Sequence, residues 1–269
     1  MQPFRISDID ESQAPLLDHL IELRARLLRA FMAFAVAFGI CFYFANHIIA
    51  FLVRPLVQAG QSKLIYTKLY EAFFVEVKVA LFAAFFVSFP VIANQIWAFV
   101  APGLYAKEKK AFLPFLIATP ILFTMGGALA YFVVMPTAFH FFLGFQGPTG
   151  GLQLEALPAT GDYLALVMQF ILAFGISFLL PVLLMLLNRA GIVTRAQIAG
   201  ARRYAIVLIF IVAAVATPPD VVSQLLLAVP LLLLFEGALL AMWFTERRDA
   251  REKVAEEPKV DSTANSPAE

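Results

Sequence analysis

The sequence predicts an all-α polytopic membrane protein with six transmembrane helices, kinked by prolines, the last two forming a short hairpin, and both termini cytoplasmic. Three observations carry that prediction. Of 269 residues, 61% are hydrophobic and 14% charged, whereas a soluble domain carries about a quarter charged residues. The apolar residues gather into runs long enough for a bilayer, and the basic residues gather at one end of those runs. Phenylalanine occurs 28 times, an excess suited to a surface facing lipid.

A hydrocarbon core of about 30 Å needs roughly 20 helical residues. Residues 31–53 contain no formal charge and make the first expected span. The second covers 72–100, with Glu76 and Lys78 in its run-in, the third 111–135 and the fourth 163–187. Strands are excluded for such segments, because an isolated strand leaves its backbone groups unpaired in lipid. The fifth, 204–216, is short, and Thr217-Pro218-Pro219-Asp220 follows as a turn that cannot continue a helix. The sixth, 221–243, contains Glu236. Pro90, Pro114, Pro120, Pro181 and Pro230 within the spans imply kinks. Residues 1–244 thus form one transmembrane domain, and the charged stretch 245–269 is expected to be a disordered cytoplasmic tail. The polar, acidic first fifteen residues argue against a cleaved secretory signal.

Orientation follows from the arginines and lysines. With six spans the termini share one side, and that side gathers sixteen of the twenty basic residues, among them Arg24, Arg26, Arg29, Lys107, Arg189 and Arg203. Basic residues stay cytoplasmic. The net charge of +1 gives no support to nucleic-acid binding, and the lone Cys41 cannot form an intrachain disulfide.

Few polar positions interrupt this pattern. Pro15 to Leu27 is amphipathic, with Leu16, Leu20, Leu23 and Leu27 at helical spacing, and is expected on the bilayer surface or against other helices. Glu22 and Arg26 lie four apart, the spacing of a helix-stabilising ion pair. Glu108 stands among Lys107, Lys109 and Lys110. It either moderates their repulsion or waits for an arginine, whose fork a carboxylate binds in a way lysine cannot reproduce. Glu236 needs a partner or a wet cavity. Asp220 is placed to cap the last helix and Gln224 to hydrogen-bond a neighbour. His19, His47 and His140 are scattered, so no metal site or cofactor is expected. No nucleophile elbow or phosphate-binding glycine loop occurs, and no enzymatic activity is expected.

Taken together, several motifs resemble the TatC family, the multi-span core of the twin-arginine protein translocase. They are His19-Leu20-Ile21-Glu22-Leu23-Arg24-Ala25-Arg26-Leu27, the stretch Gln95 to Tyr105 leading into Glu108, Tyr131 to Pro136, Thr217 to Gln224, and Leu234-Phe235-Glu236. The resemblance implies a receptor in the cytoplasmic (inner) membrane for Arg-Arg signal peptides of folded cargo, driven by the proton motive force. It implies that Glu22 and Glu108 recognise the arginine pair, with Arg24, Arg26 and Phe99 in the same binding region. It implies that single-span TatA and TatB partners dock around Thr217, Asp220 and Gln224, and that the chain self-associates in a larger complex. Pro55, Tyr131 and Glu236 match family positions of structural or undefined role. Many relatives carry a glutamate just before the fourth-span proline, where this chain has Leu179 and Leu180 ahead of Pro181. The alternative reading is a proton-coupled small-solute secondary transporter with Glu236 as the coupling residue.

Overall fold

The structure, a computed structural model, describes residues 7–104 and 113–256. The chain runs through helices α1 (Ser7–Tyr43), α2 (Ala45–Gln58), α3 (Glu71–Leu104), α4 (Leu113–Leu129) and α5 (Met135–Leu143). A two-stranded antiparallel hairpin follows, β1 (Gly147–Thr149) with β2 (Leu152–Leu154). The second half consists of α6 (Thr160–Ser177), α7 (Leu180–Arg189), α8 (Arg195–Gly200), α9 (Arg202–Ala216) and α10 (Val221–Glu256). Among the described residues, five stretches are long and apolar enough to cross a membrane: His19–Tyr43, Glu71–Phe99, Pro114–Leu143, Thr160–Arg189 and Val221–Arg248. The α9 helix, 15 residues long, rises only about 22 Å.

Several boundaries differ from the sequence reading, each for a physical reason. The apolar run 31–53 is not one helix: α1 ends at Tyr43 and the chain turns at Phe44 into α2. Leu20, Leu23 and Leu27 belong to the same continuous helix as Phe31, so the amphipathic segment begins the first long helix instead of lying apart from it. The apolar length needed to cross is thereby supplied from His19 onward, and α2 is left to pack across the far end against α3 and α5. Helical structure in the third stretch continues to Leu143, past the expected end at 135. The last helix continues to Glu256, so residues 245–256 of the expected tail are helical, while 257–269 lie outside the described residues.

The prolines act unequally. Pro181 sits in the first turn of α7 and divides it from α6. Pro136 sits in the first turn of α5, preceded by a π-helical turn over Ala130–Val134. The wider turn relieves the clash of a proline ring with the carbonyl one turn back. Pro114 is the second residue of α4, where its missing N–H costs nothing. Pro90, Pro120 and Pro230 lie inside helices that continue through them.

The core forms around α4, α6 and the π turn, with Phe123, Phe170 and Phe174 fully buried. The α4 and α6 backbones approach closely because glycines face the contact. A Cβ on Gly126 would meet the Phe174 carbonyl oxygen, and one on Gly175 would fall 2.8 Å from the Phe123 ring. Small residues at helix contacts allow such packing in lipid. By contrast α1 leans mainly on α3 among the described residues and leaves Phe31, Met32, Val36 and Ile40 exposed. At the far end Glu71 ties two loops together, accepting hydrogen bonds from the backbone N–H groups of Thr67 and Gly161, both at 2.7 Å.

Gly126→Ala places a methyl against backbone that cannot yield. Thermal unfolding in detergent is expected to show a loss of about 1–3 kcal/mol, whereas Ala substitution at the uncrowded Gly39 leaves the midpoint unlowered.

Candidate functional site

The α1 and α3 helices run antiparallel, which brings the start of α1 to the end of α3. There the His19 imidazole stacks on the Phe99 ring, with centroids 4.3 Å apart and planes within 18°. One turn along α1, Glu22 accepts a hydrogen bond at 2.9 Å from Nε of Arg26, and its Oε2 lies 3.9 Å from His19 Nδ1. The Glu22 side chain is 36% exposed and that of Arg26 20%. A carboxylate on the surface of the bundle is thus held between an imidazole and a guanidinium of its own helix. Arg24 is exposed and outside this cluster. Glu108 lies outside the described residues.

Gln95, which opens one of the family motifs but drew no role of its own from the sequence, also belongs to this region. It stands one turn before Phe99 on the same face of α3, and its side-chain oxygen is buried without a hydrogen-bond partner. The i, i+4 spacing of Gln95 and Phe99 was the available signal. His19 was likewise not assigned to a site, since its stacking partner is eighty positions away.

The second group of expected residues sits on the α9–α10 turn. Asp220 caps α10 by accepting the Ser223 N–H at 2.7 Å. Thr217 donates its hydroxyl to the Ala213 carbonyl at 2.8 Å, and Gln224 donates to the Phe210 carbonyl of α9 at 3.3 Å. From α6, Gln169 donates to the Ala216 carbonyl at 3.1 Å. These groups satisfy the end of a helix that stops early. Two buried oxygens remain unpartnered here, Asp220 Oδ2 and Ser223 Oγ.

Glu236 pairs with Arg202 at 2.9 Å, both side chains about half exposed. Arg202 is the first residue of α9, and a second pair, Arg195 with Glu246 at 3.0 Å, joins α8 to α10. A half-exposed carboxylate already paired with an arginine is not the buried cavity group that a coupling transporter would use.

Pro55 and Tyr131 belong together. A proline within a helix leaves the carbonyl four residues earlier without its donor. Here that carbonyl is Phe51, and it accepts the Tyr131 hydroxyl at 2.7 Å, with the two rings stacked 4.3 Å apart. The neighbouring Leu52 carbonyl accepts the Tyr163 hydroxyl at 2.9 Å. Among the described residues no cluster of His, Cys, Asp and Glu suited to a metal occurs.

The family profile of the Sec-independent protein translocase protein (TatC) matches residues 18–230. The chain belongs to the TatC family. The TatC of Magnetococcus marinus is 49% identical over 249 residues, covering 92% of this chain and 90% of that one. The TatC of Escherichia coli is 39% identical over 246 residues, covering 90% and 94%. Two crystal structures of the twin arginine translocase receptor TatC, one of them in DDM, match with TM-scores of 0.73 and 0.72 at 39% identity. They cover 83% and 84% of this chain and 98% of each relative. As a TatC protein, the chain is a multi-pass membrane component of a protein translocase.

Tyr131→Phe keeps the stacked ring and strips the Phe51 carbonyl of its donor. The expected loss is about 1–3 kcal/mol in thermal unfolding, reduced when Pro55→Ala restores the helical N–H to that carbonyl.

Proposed function

We propose that this chain is a receptor, as its solved relatives are named, and that what it binds is the Arg-Arg signal peptide of folded cargo. The observation that supports this reading most is the placement of Glu22: a half-exposed carboxylate, already engaging one guanidinium, beside the His19–Phe99 stack at the end of α3. An arriving arginine exchanges with Arg26, so Arg26 keeps the site charged and closed when empty. Glu108, which lies between α3 and α4 in the sequence, takes the second arginine. Phe99 supplies an apolar floor for the residues after the pair, and Arg24, exposed on the same helix, contacts the peptide beyond its arginines.

In this reading α9 and α10 cross as a short hairpin, making six spans, and the basic end faces the cytoplasm with both termini. The membrane is the cytoplasmic one, and transport draws on the proton motive force. Single-span TatA and TatB partners dock at Thr217, Asp220 and Gln224, where a polar group on a partner helix meets the capped turn between α9 and α10. The chain self-associates in the working complex, because a bundle with one such short crossing encloses no passage for a folded protein.

Photocrosslinking of an Arg-Arg signal peptide to the protein in membranes tests the carboxylate assignment. Glu22→Ala and Glu108→Ala each remove a contact worth about 1 kcal/mol at an exposed site, a loss of roughly fivefold in capture, and together they lower it roughly thirtyfold. Unchanged capture by the double variant, with normal insertion, refutes the assignment. Crosslinkers at 224 are expected to capture partner helices and not the peptide's arginine region.

A further inference from the structure

The far end of the bundle, away from Glu22, carries exposed apolar side chains on its loops as well as on its helices. Leu69 projects fully from the loop before α3, and Tyr66 and Tyr70 beside it are exposed. Phe145, Leu152, Leu154 and Leu157 are exposed in the segment that contains the β1–β2 hairpin. These two loops form one body. Ile65 makes a parallel bridge with Ala159, Gln61 donates to the Ala156 carbonyl at 2.6 Å, and Glu71 accepts from the Gly161 N–H.

The hairpin has two unlike faces. Side chains alternate along a strand, so Leu152 and Leu154 share one face and Gln153, paired across from Pro148, takes the other. All three are exposed, and the leucine face rests on nothing within the described residues. Residues 144–146 alone separate the hairpin from the spanning stretch that ends at Leu143. They reach at most about 10 Å, which keeps the hairpin close to a headgroup layer roughly 5–7 Å deep on each side of the bilayer. Leu157 likewise stands just before Thr160, where the next spanning stretch begins.

The arrangement of these residues selects what covers them. They come from three helix ends. Tyr43 and Phe44 stand at the end of α1, Tyr70 leads into α3 through Phe74 with ring centroids 5.8 Å apart, and Phe141 leads out of α5 to Phe145 at 5.2 Å. The last two strips continue the exposed apolar side of a spanning stretch into a loop. A single protein partner covers one face, whereas a bilayer meets every helix end at the same height, where tyrosine collects. Lys63 and Lys68 nearby are exposed, on stems long enough to reach water from that depth.

We infer that the β1–β2 hairpin lies in the interfacial layer of the bilayer with Leu152 and Leu154 turned into the lipid, and that with Leu69 and Tyr70 it anchors the far end of the bundle at a fixed depth. This anchor depends only on the chain's place in a membrane and lies outside the receptor reading.

Cys41 is the one cysteine of the chain, so in a Cys41→Ala background Leu152→Cys, Gln153→Cys and Leu154→Cys each carry a single nitroxide label. The full chain is reconstituted into phosphatidylcholine vesicles. Electron paramagnetic resonance then reads collisions with oxygen, which concentrates in lipid, and with a neutral nickel chelate, which stays in water. The oxygen-to-nickel ratio is expected to be severalfold higher at 152 and 154 than at 153, and Leu69→Cys is expected to match the high pair. A ratio at 153 equal to or above those at 152 and 154 overturns the proposal, since the leucine face is then not the one turned toward lipid. Poor access of both reagents to 152 and 154 overturns it in favour of a protein cover, a second copy where spin–spin broadening disappears on dilution with unlabelled chain. Signal-peptide capture plays no part, so each outcome leaves the receptor reading standing.

Discussion

A helix that stops or bends inside hydrocarbon exposes backbone carbonyls with no water to receive them, and this structure depends on how those groups are met. The α9 helix is too short to carry its end to a membrane surface on the scale of the other long helices. Its last carbonyls are taken by Thr217 and by Gln169 reaching over from α6, while Asp220 caps the start of α10. At the opposite kink, Pro55 leaves the Phe51 carbonyl without a donor and Tyr131 supplies one. Polar residues that stand out in an apolar sequence are, in these places, first of all the partners of displaced backbone.

The same constraint links fold and function. The π turn that holds Tyr131 makes room for Pro136, and the break before Pro181 lets α7 diverge from α6. Those bends, with the short α9–α10 hairpin, leave an apolar hollow between α3 and α9 instead of a filled bundle. Because α1 rests almost entirely on α3, the Glu22 region depends on one helix contact, closed at its end by His19 on Phe99.

Much of this was legible in the residues. The Glu22–Arg26 pair and the capping by Asp220 follow from spacing alone, and each involves groups three or four positions apart. The first helix was misread because the longest charge-free run, 31–53, hides a turn at Phe44 that neither proline nor glycine marks. Counting charges placed the start of the span too late, since the helix is already running through Glu22, Arg24, Arg26 and Arg29 before the charge-free stretch begins. The charged segment after Phe244 was read as tail because composition does not show that a long helix is already propagating into it.

By itself, the sequence determined the apolar lengths, the stop at Thr217-Pro218-Pro219-Asp220, the gathering of arginine at one end and the motifs of the TatC family. These are properties of neighbouring residues, and local chemistry decides them. Tertiary structure alone decided that Tyr131 answers Pro55, that His19 covers Phe99, and that Glu236 finds Arg202 at the bundle's edge. Each of those pairs joins positions more than thirty residues apart. Which helices become neighbours depends on packing in three dimensions, at glycine contacts such as Gly126 with α6, and hydropathy along the chain carries no record of it.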